Sequence, residues 1–100
     1  MTISSRISER DGVVEIDVGE RFDFAQQKDF RAVYRDCPPD LKYRVNLERV
    51  EYLDSAALGM LLLLRQHAGD ENDSVTLCKA PEAVRNILHV ANFERIFRIE

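Results

Sequence analysis

Asp54 and Ser55 put a carboxylate and a hydroxyl side by side, directly ahead of the most apolar segment of the chain, Met60-Leu61-Leu62-Leu63-Leu64. Both residue types start helices. At such a start the backbone N–H groups are free and the helix dipole is positive, so an anion such as phosphate is favoured there. Spacing alone makes Ser55 a helix cap worth about 1 kcal/mol, and gives Asp54 a capping or hydroxyl-orienting role. Asp23 followed by Gln26 has the spacing of a capping box. Asn46, at the end of an extended run, is placed to bond a nearby backbone group.

Other chemistry is poorly supplied. His67 and His89 have no ligand spacing between them, so no metal site is expected. A serine and two distant histidines do not make a nucleophile–base pair, so no catalytic residue is expected. The few glycines are scattered, and no phosphate-cradling loop of nucleotide-binding type is present. Cys37 and Cys78 stand apart, outside any C-x-x-C motif, and read as reduced thiols filling apolar space.

The elements that must position these groups follow from periodicity. Ile3, Ser5 and Ile7 alternate weakly as a first, edge strand. Asp11-Gly12 is a tight-turn signal, and Val14, Ile16 and Val18 alternate with Val13, Glu15 and Asp17 until Gly19. These two strands form an antiparallel hairpin. A helix is expected from about Phe24 to Asp36, with Phe30, Val33, Tyr34 and Cys37 on one face and Pro38-Pro39 ending it. Tyr43, Val45 and Leu47 then alternate as a central strand that feeds the helix at Ser55. Gly69 is the C-cap of that helix, and Arg65 and His67 suit its negative end. Leu61 to Leu64 read as core. A strand follows at Val75–Cys78. Pro81 is the first residue of a third helix striped by Ala83, Val84, Ile87, Leu88 and Ala91. Ile96, Phe97 and Ile99 form a short helix and a last strand. The two β–α–β connections after residue 40 imply parallel strands. Their alternating pattern implies helices mostly on one face. The expected fold is α/β: one domain over residues 1–100, with a mixed, mostly parallel sheet of about four to five strands and an antiparallel first strand.

With 45% hydrophobic and 32% charged residues, the 100-residue chain suits one modest core. A net charge of −4 gives no electrostatic reason to expect nucleic acid. The start of the chain lacks a signal-peptide core, and the longest apolar run, Ala56 to Leu64, is about half of a membrane span. The expectation is therefore a cytoplasmic protein with no membrane partner.

Asn46-Leu47-Glu48, Asp54-Ser55 and Leu58-Gly59, in a domain of this length, resemble the STAS domain of anti-sigma factor antagonists. Ala56 and Ala57 stand where Ser and Gly are common in that family, and Asn46 where Asp is common. The resemblance implies that Ser55 is a phosphoacceptor and that Asp23, Asp54, Ser55, Ala56, Ala57 and Leu58 line a partner-binding surface. It implies an anti-sigma factor or serine kinase as partner, a PP2C-type phosphatase to reverse the modification, no cofactor, no enzyme activity, and a monomer or weak dimer. Two other classes stand beside it. One is a STAS-type subunit of a signalling scaffold or transporter complex without a phosphoswitch. The other is a small nucleotide-binding or hydrolysing enzyme, for which nothing at catalytic spacing argues.

Overall fold

The computed structural model describes residues 3–8, 10–38, 40–71 and 73–100. Pro39, half of the expected helix stop, lies outside them. The described elements are β1 (Ser4–Ser8), β2 (Val13–Asp17), β3 (Arg21–Phe22), a 3-10 turn (Phe24–Gln26), α1 (Gln27–Tyr34), β4 (Lys42–Asn46), β5 (Tyr52–Leu53), α2 (Ser55–His67), β6 (Val75–Cys78), α3 (Glu82–Val90), a 3-10 turn (Phe93–Arg95) and β7 (Arg98–Ile99). Five strands form one sheet in the order β1-β2-β4-β6-β7. Only β1 runs antiparallel to its neighbour. The hairpin between β1 and β2 closes through Asp11, whose N–H donates to the Ser8 carbonyl at 3.2 Å. Gly12 follows at φ 67°, a conformation glycine adopts without a Cβ penalty.

The helices cover one face. Val14, Ile16, Tyr43, Val45, Val75 and Leu77 point from the strands into a cluster that also holds Phe30, Leu61, Leu64 and Leu88. The opposite face carries Arg6, Glu15, Arg44, Thr76 and Arg98 side by side in register. It carries exposed ion pairs, Arg6–Glu15 at 2.7 Å and Arg44–Glu100 at 2.9 Å. Burial alternates along β2 and β4 in this way, because polar residues at every second position need no cover, whereas β6 is buried at every position.

Several points differ from the sequence reading, among them the end of the first helix, at Tyr34 rather than Asp36, and the C-cap of α2, at Ala68 rather than Gly69. The helix expected from Phe24 to Asp36 starts as a 3-10 turn and becomes α-helical only at Gln27. Pro81 is the N-cap of α3 in extended conformation, and the helix starts at Glu82. The leucine run is only half core: Leu61 and Leu64 are fully buried, whereas Leu62 and Leu63 are 42% and 50% exposed. A helix that packs on one side turns successive residues about 100° apart, so four leucines in a row cannot all face inward.

Candidate functional site

Two loops meet at the start of α2. The backbone of Arg21–Phe22 pairs in parallel with Tyr52–Leu53. The Glu20 carbonyl accepts from the N–H groups of Glu51 at 2.7 Å and Tyr52 at 3.0 Å. Asp54 then completes the joint. Its backbone is extended (φ −111°, ψ 179°), and its Oδ1 accepts from the Ala57 N–H at 3.0 Å, which makes it the N-cap of α2. Its Oδ2 accepts from the Phe24 N–H at 3.3 Å, 30 residues away in sequence. One carboxylate thus caps α2 and ties the loop before α1 to it.

Ser55 is the first helical residue rather than the cap. Its side chain is exposed. Among the described residues its hydroxyl takes part in no hydrogen bond, and the N–H groups of Ser55 and Ala56 have no acceptor. Because Asp54 does the capping, the Ser55 oxygen is left for solvent or for chemistry. A phosphate on it would lie within the first turn, where those N–H groups and the helix dipole favour negative charge.

The other residues expected on the partner surface divide into two sets. Asp54, Ala56 and Leu58 are partly exposed around Ser55. Ala57 has no exposed surface and belongs to the core, because it lies on the inward side of the first turn of α2. Asp23 is 8% exposed. Its Oδ1 accepts from the Ala25 N–H at 3.1 Å, its own N–H donates to Gln26 Oε1 at 3.0 Å, and its Oδ2 accepts from the Arg21 guanidinium at 2.9 Å. Both side chains are therefore buried in the free chain, where they support the exposed residues around Ser55. The capping box at Asp23 and Gln26 is formed in full. Asn46 has the role its position predicts: its Oδ1 accepts from the Glu48 N–H at 2.9 Å.

Three side chains complete the rim. Phe24 is 68% exposed and Tyr52 48% exposed. The Arg21 guanidinium lies 4.7 Å from the centre of the Tyr52 ring. Aromatic and arginine side chains are the types enriched among the residues that dominate protein interfaces. Their one signal in the sequence was the apolar Phe24 next to a cap. The meeting of Arg21 with Tyr52 depends on a two-residue strand pair that carries no periodicity. Leu58 also leads into a shallow apolar hollow with Ile87, Val90 and Ala91 between α2 and α3.

The remaining candidates are structural. His67 Nε2 lies 2.9 Å from the Cys37 carbonyl oxygen, and its ring packs between those of Tyr34 and Tyr43. His89 Nδ1 lies 3.0 Å from Glu94 Oε1. Both cysteines are free; burial pushes the Cys78 thiol pKa up, and its Sγ lies 3.4 Å from the Val45 carbonyl. Among the described residues no group of His, Cys, Asp and Glu is placed to hold a metal ion, and no helix is long and apolar enough to cross a membrane.

The sequence model of the family described as "Mlab, STAS domain" matches residues 5–99. A STAS-domain containing protein of Pseudomonas aeruginosa (strain UCBPP-PA14) is 48% identical over 85 residues, 84% of each chain. The fold superimposes on the anti-sigma factor antagonist SpoIIAA in its unphosphorylated form with a TM-score of 0.79, at 16% identity, over 98% of this chain and 87% of that one. The phosphorylated form of SpoIIAA from Bacillus gives a TM-score of 0.73 at 15% identity, over 98% and 90% of the two chains. The family match over nearly the whole length, with the close relative and the shared architecture, shows that the chain belongs to the STAS-domain family.

Proposed function

We propose that the chain is a phospho-regulated anti-sigma factor antagonist that works in the cytoplasm. Unphosphorylated, it binds and sequesters an anti-sigma factor or switch kinase through the surface around Ser55; phosphorylation of Ser55 blocks that binding. The observation that carries this reading is the exposed, unbonded Ser55 hydroxyl beside a cap already supplied by Asp54. A serine kinase would transfer phosphate to it, and a PP2C-type phosphatase would remove it. The similarity of this chain to both forms of SpoIIAA supports a switch that edits a surface and leaves the fold alone. Phosphate adds about −1.5 to −2 charges at neutral pH. Within a partly desolvated contact that costs a few kcal/mol, on the order of 10²-fold in affinity.

Ser55→Ala is expected to fold normally, to accept no phosphate and to hold its partner constitutively in a pull-down. Ser55→Glu is expected to hold it weakly. Kinase labelling of Ser55→Ala at the wild-type level would reject the site. A second reading, a STAS-type subunit of a signalling scaffold or transporter complex without a phosphoswitch, draws on the exposed apolar hollow at Leu58, Ile87 and Val90, a face that a permanent assembly would cover. It requires both Ser55 variants to co-purify with the same large complex.

A further inference from the structure

A groove runs between α1 and α2 on the side of α2 away from the Leu58 hollow. Two adjoining hollows of about 540 and 260 Å3 share Arg31, Tyr34 and Leu63 in their walls. The floor is apolar: Phe30 and Met60 are buried in it, and Leu63 stands half exposed at its edge. The α1 wall is basic. Lys28, Arg31 and Arg35 recur at helical spacing along it, and no described lining residue is acidic. The α2 wall adds none, since Ser55 to His67 contains no Asp or Glu. In a chain of net charge −4 the basic wall is a local reversal of sign. Neither Lys28 nor Arg31 enters an ion pair among the described residues, and Arg35 reaches only Asp36, at 3.9 Å.

We propose that this groove is a second docking surface, beyond the Ser55 site, and that its occupant is an acidic amphipathic helix of a partner protein. An apolar floor beside a cationic wall is complementary to a helix with leucine-type residues at i, i+3, i+4 and i+7 and carboxylates along one flank. Exposed Leu63 would be covered by that apolar stripe. The eight residues of α1 make a wall roughly 12 Å long, which matches two to three turns of helix. A second copy of this chain does not supply such a helix. The exposed face of α3, with Ile87 and Val90, carries Arg85 and His89 nearby and only Glu82 as an acid. Nucleic acid fits poorly, because three cations over an apolar floor track no phosphate backbone and Tyr34 is buried rather than offered for stacking. On α2 the groove is lined by Met60, Leu63, Gln66 and His67, none of which belongs to the surface around Ser55.

The test uses the full chain and two labelled synthetic helical peptides of about fourteen residues that share one leucine stripe, one flanked by glutamates and the other by lysines. Fluorescence anisotropy is expected to give the acidic peptide a Kd on the order of 10 to 100 µM and the basic peptide at least ~10-fold weaker binding, with the difference shrinking as salt is raised. The double variant Arg31→Glu with Arg35→Glu is expected to lose at least ~10-fold for the acidic peptide, while Ser55→Glu stays within about twofold of wild type. Amide shifts on wild-type protein, which need no variant, are expected in α1 and the later turns of α2. Equal binding of both peptides, an acidic-peptide Kd unchanged in a folded double variant, or shifts confined to α3 or the open sheet face would overturn the proposal.

Discussion

Replacing Asp54 with alanine removes two hydrogen bonds that start from one carboxylate. The first, from the Ala57 N–H, is the N-cap of α2; losing such a cap costs about 1 kcal/mol, within a range of about 0.5–2. The second, from the Phe24 N–H at 3.3 Å, is long and exposed, so about 0.5–1 kcal/mol is a fair figure. The sum is about 1.5–2 kcal/mol. For a domain of this size each kcal/mol moves the melting temperature by about 4–8 °C, so Asp54→Ala is expected to melt roughly 6–16 °C below wild type. Ser55→Ala, which removes no hydrogen bond of the fold, is expected to stay within about 0.5 kcal/mol. Differential scanning calorimetry of the two variants reads both numbers. Equal melting of Asp54→Ala and wild type, or a larger loss in Ser55→Ala, would refute the division of labour between cap and free hydroxyl.

Leu64→Ala is expected to cost about 2–5 kcal/mol and Leu63→Ala less than about 1, measured by urea denaturation, because only the first is buried. Burial, with the neighbouring Cys37, Asp40 and Tyr34 adding to it, pushes the Tyr43 hydroxyl pKa up to about 12 from 10.0. The unfolded chain therefore releases this proton before the folded one does. Stability is expected to be intact below pH 10 and to fall as the pH rises from 10 toward 12. In Tyr43→Phe this part of the loss should vanish from the denaturation midpoints. Phe24→Ala and Tyr52→Ala are expected to weaken partner binding by about 10-fold or more in calorimetric titration while melting within a few degrees of wild type, as exposed aromatic anchors do.

The sheet, the three helices and the one-sided packing were legible because they rest on repeated patterns. Val14-Ile16-Val18 and Tyr43-Val45-Leu47 alternate over enough residues to declare a strand and its buried face. The capping box at Asp23 and Gln26 was legible because its spacing is itself the mechanism. The joint that builds the candidate site was not. The β3–β5 pair is two residues per strand, too short for any period to show. The bond from Phe24 to Asp54 spans loops that only the tertiary fold brings together. Spacing pointed to Ser55 as the cap, with capping also open to Asp54; both types serve, and only the backbone turn decides for Asp54. The buried position of Ala57 and the exposure of Leu62 and Leu63 depend on the rotation of α2 about its axis. In so apolar a helix, periodicity hardly specifies that rotation.

The reversible phosphate proposed for Ser55, at the exposed start of α2, is open to direct measurement. Phosphopeptide mapping of the protein isolated from its own cells, with and without treatment by a PP2C-type phosphatase, tests it most directly. One phosphate is expected, on the peptide containing Ser55 and removed by the phosphatase. A peptide containing Ser55 that is never modified under any growth condition, or a phosphate found on Ser4, Ser5, Ser8 or Ser74 instead, would contradict it.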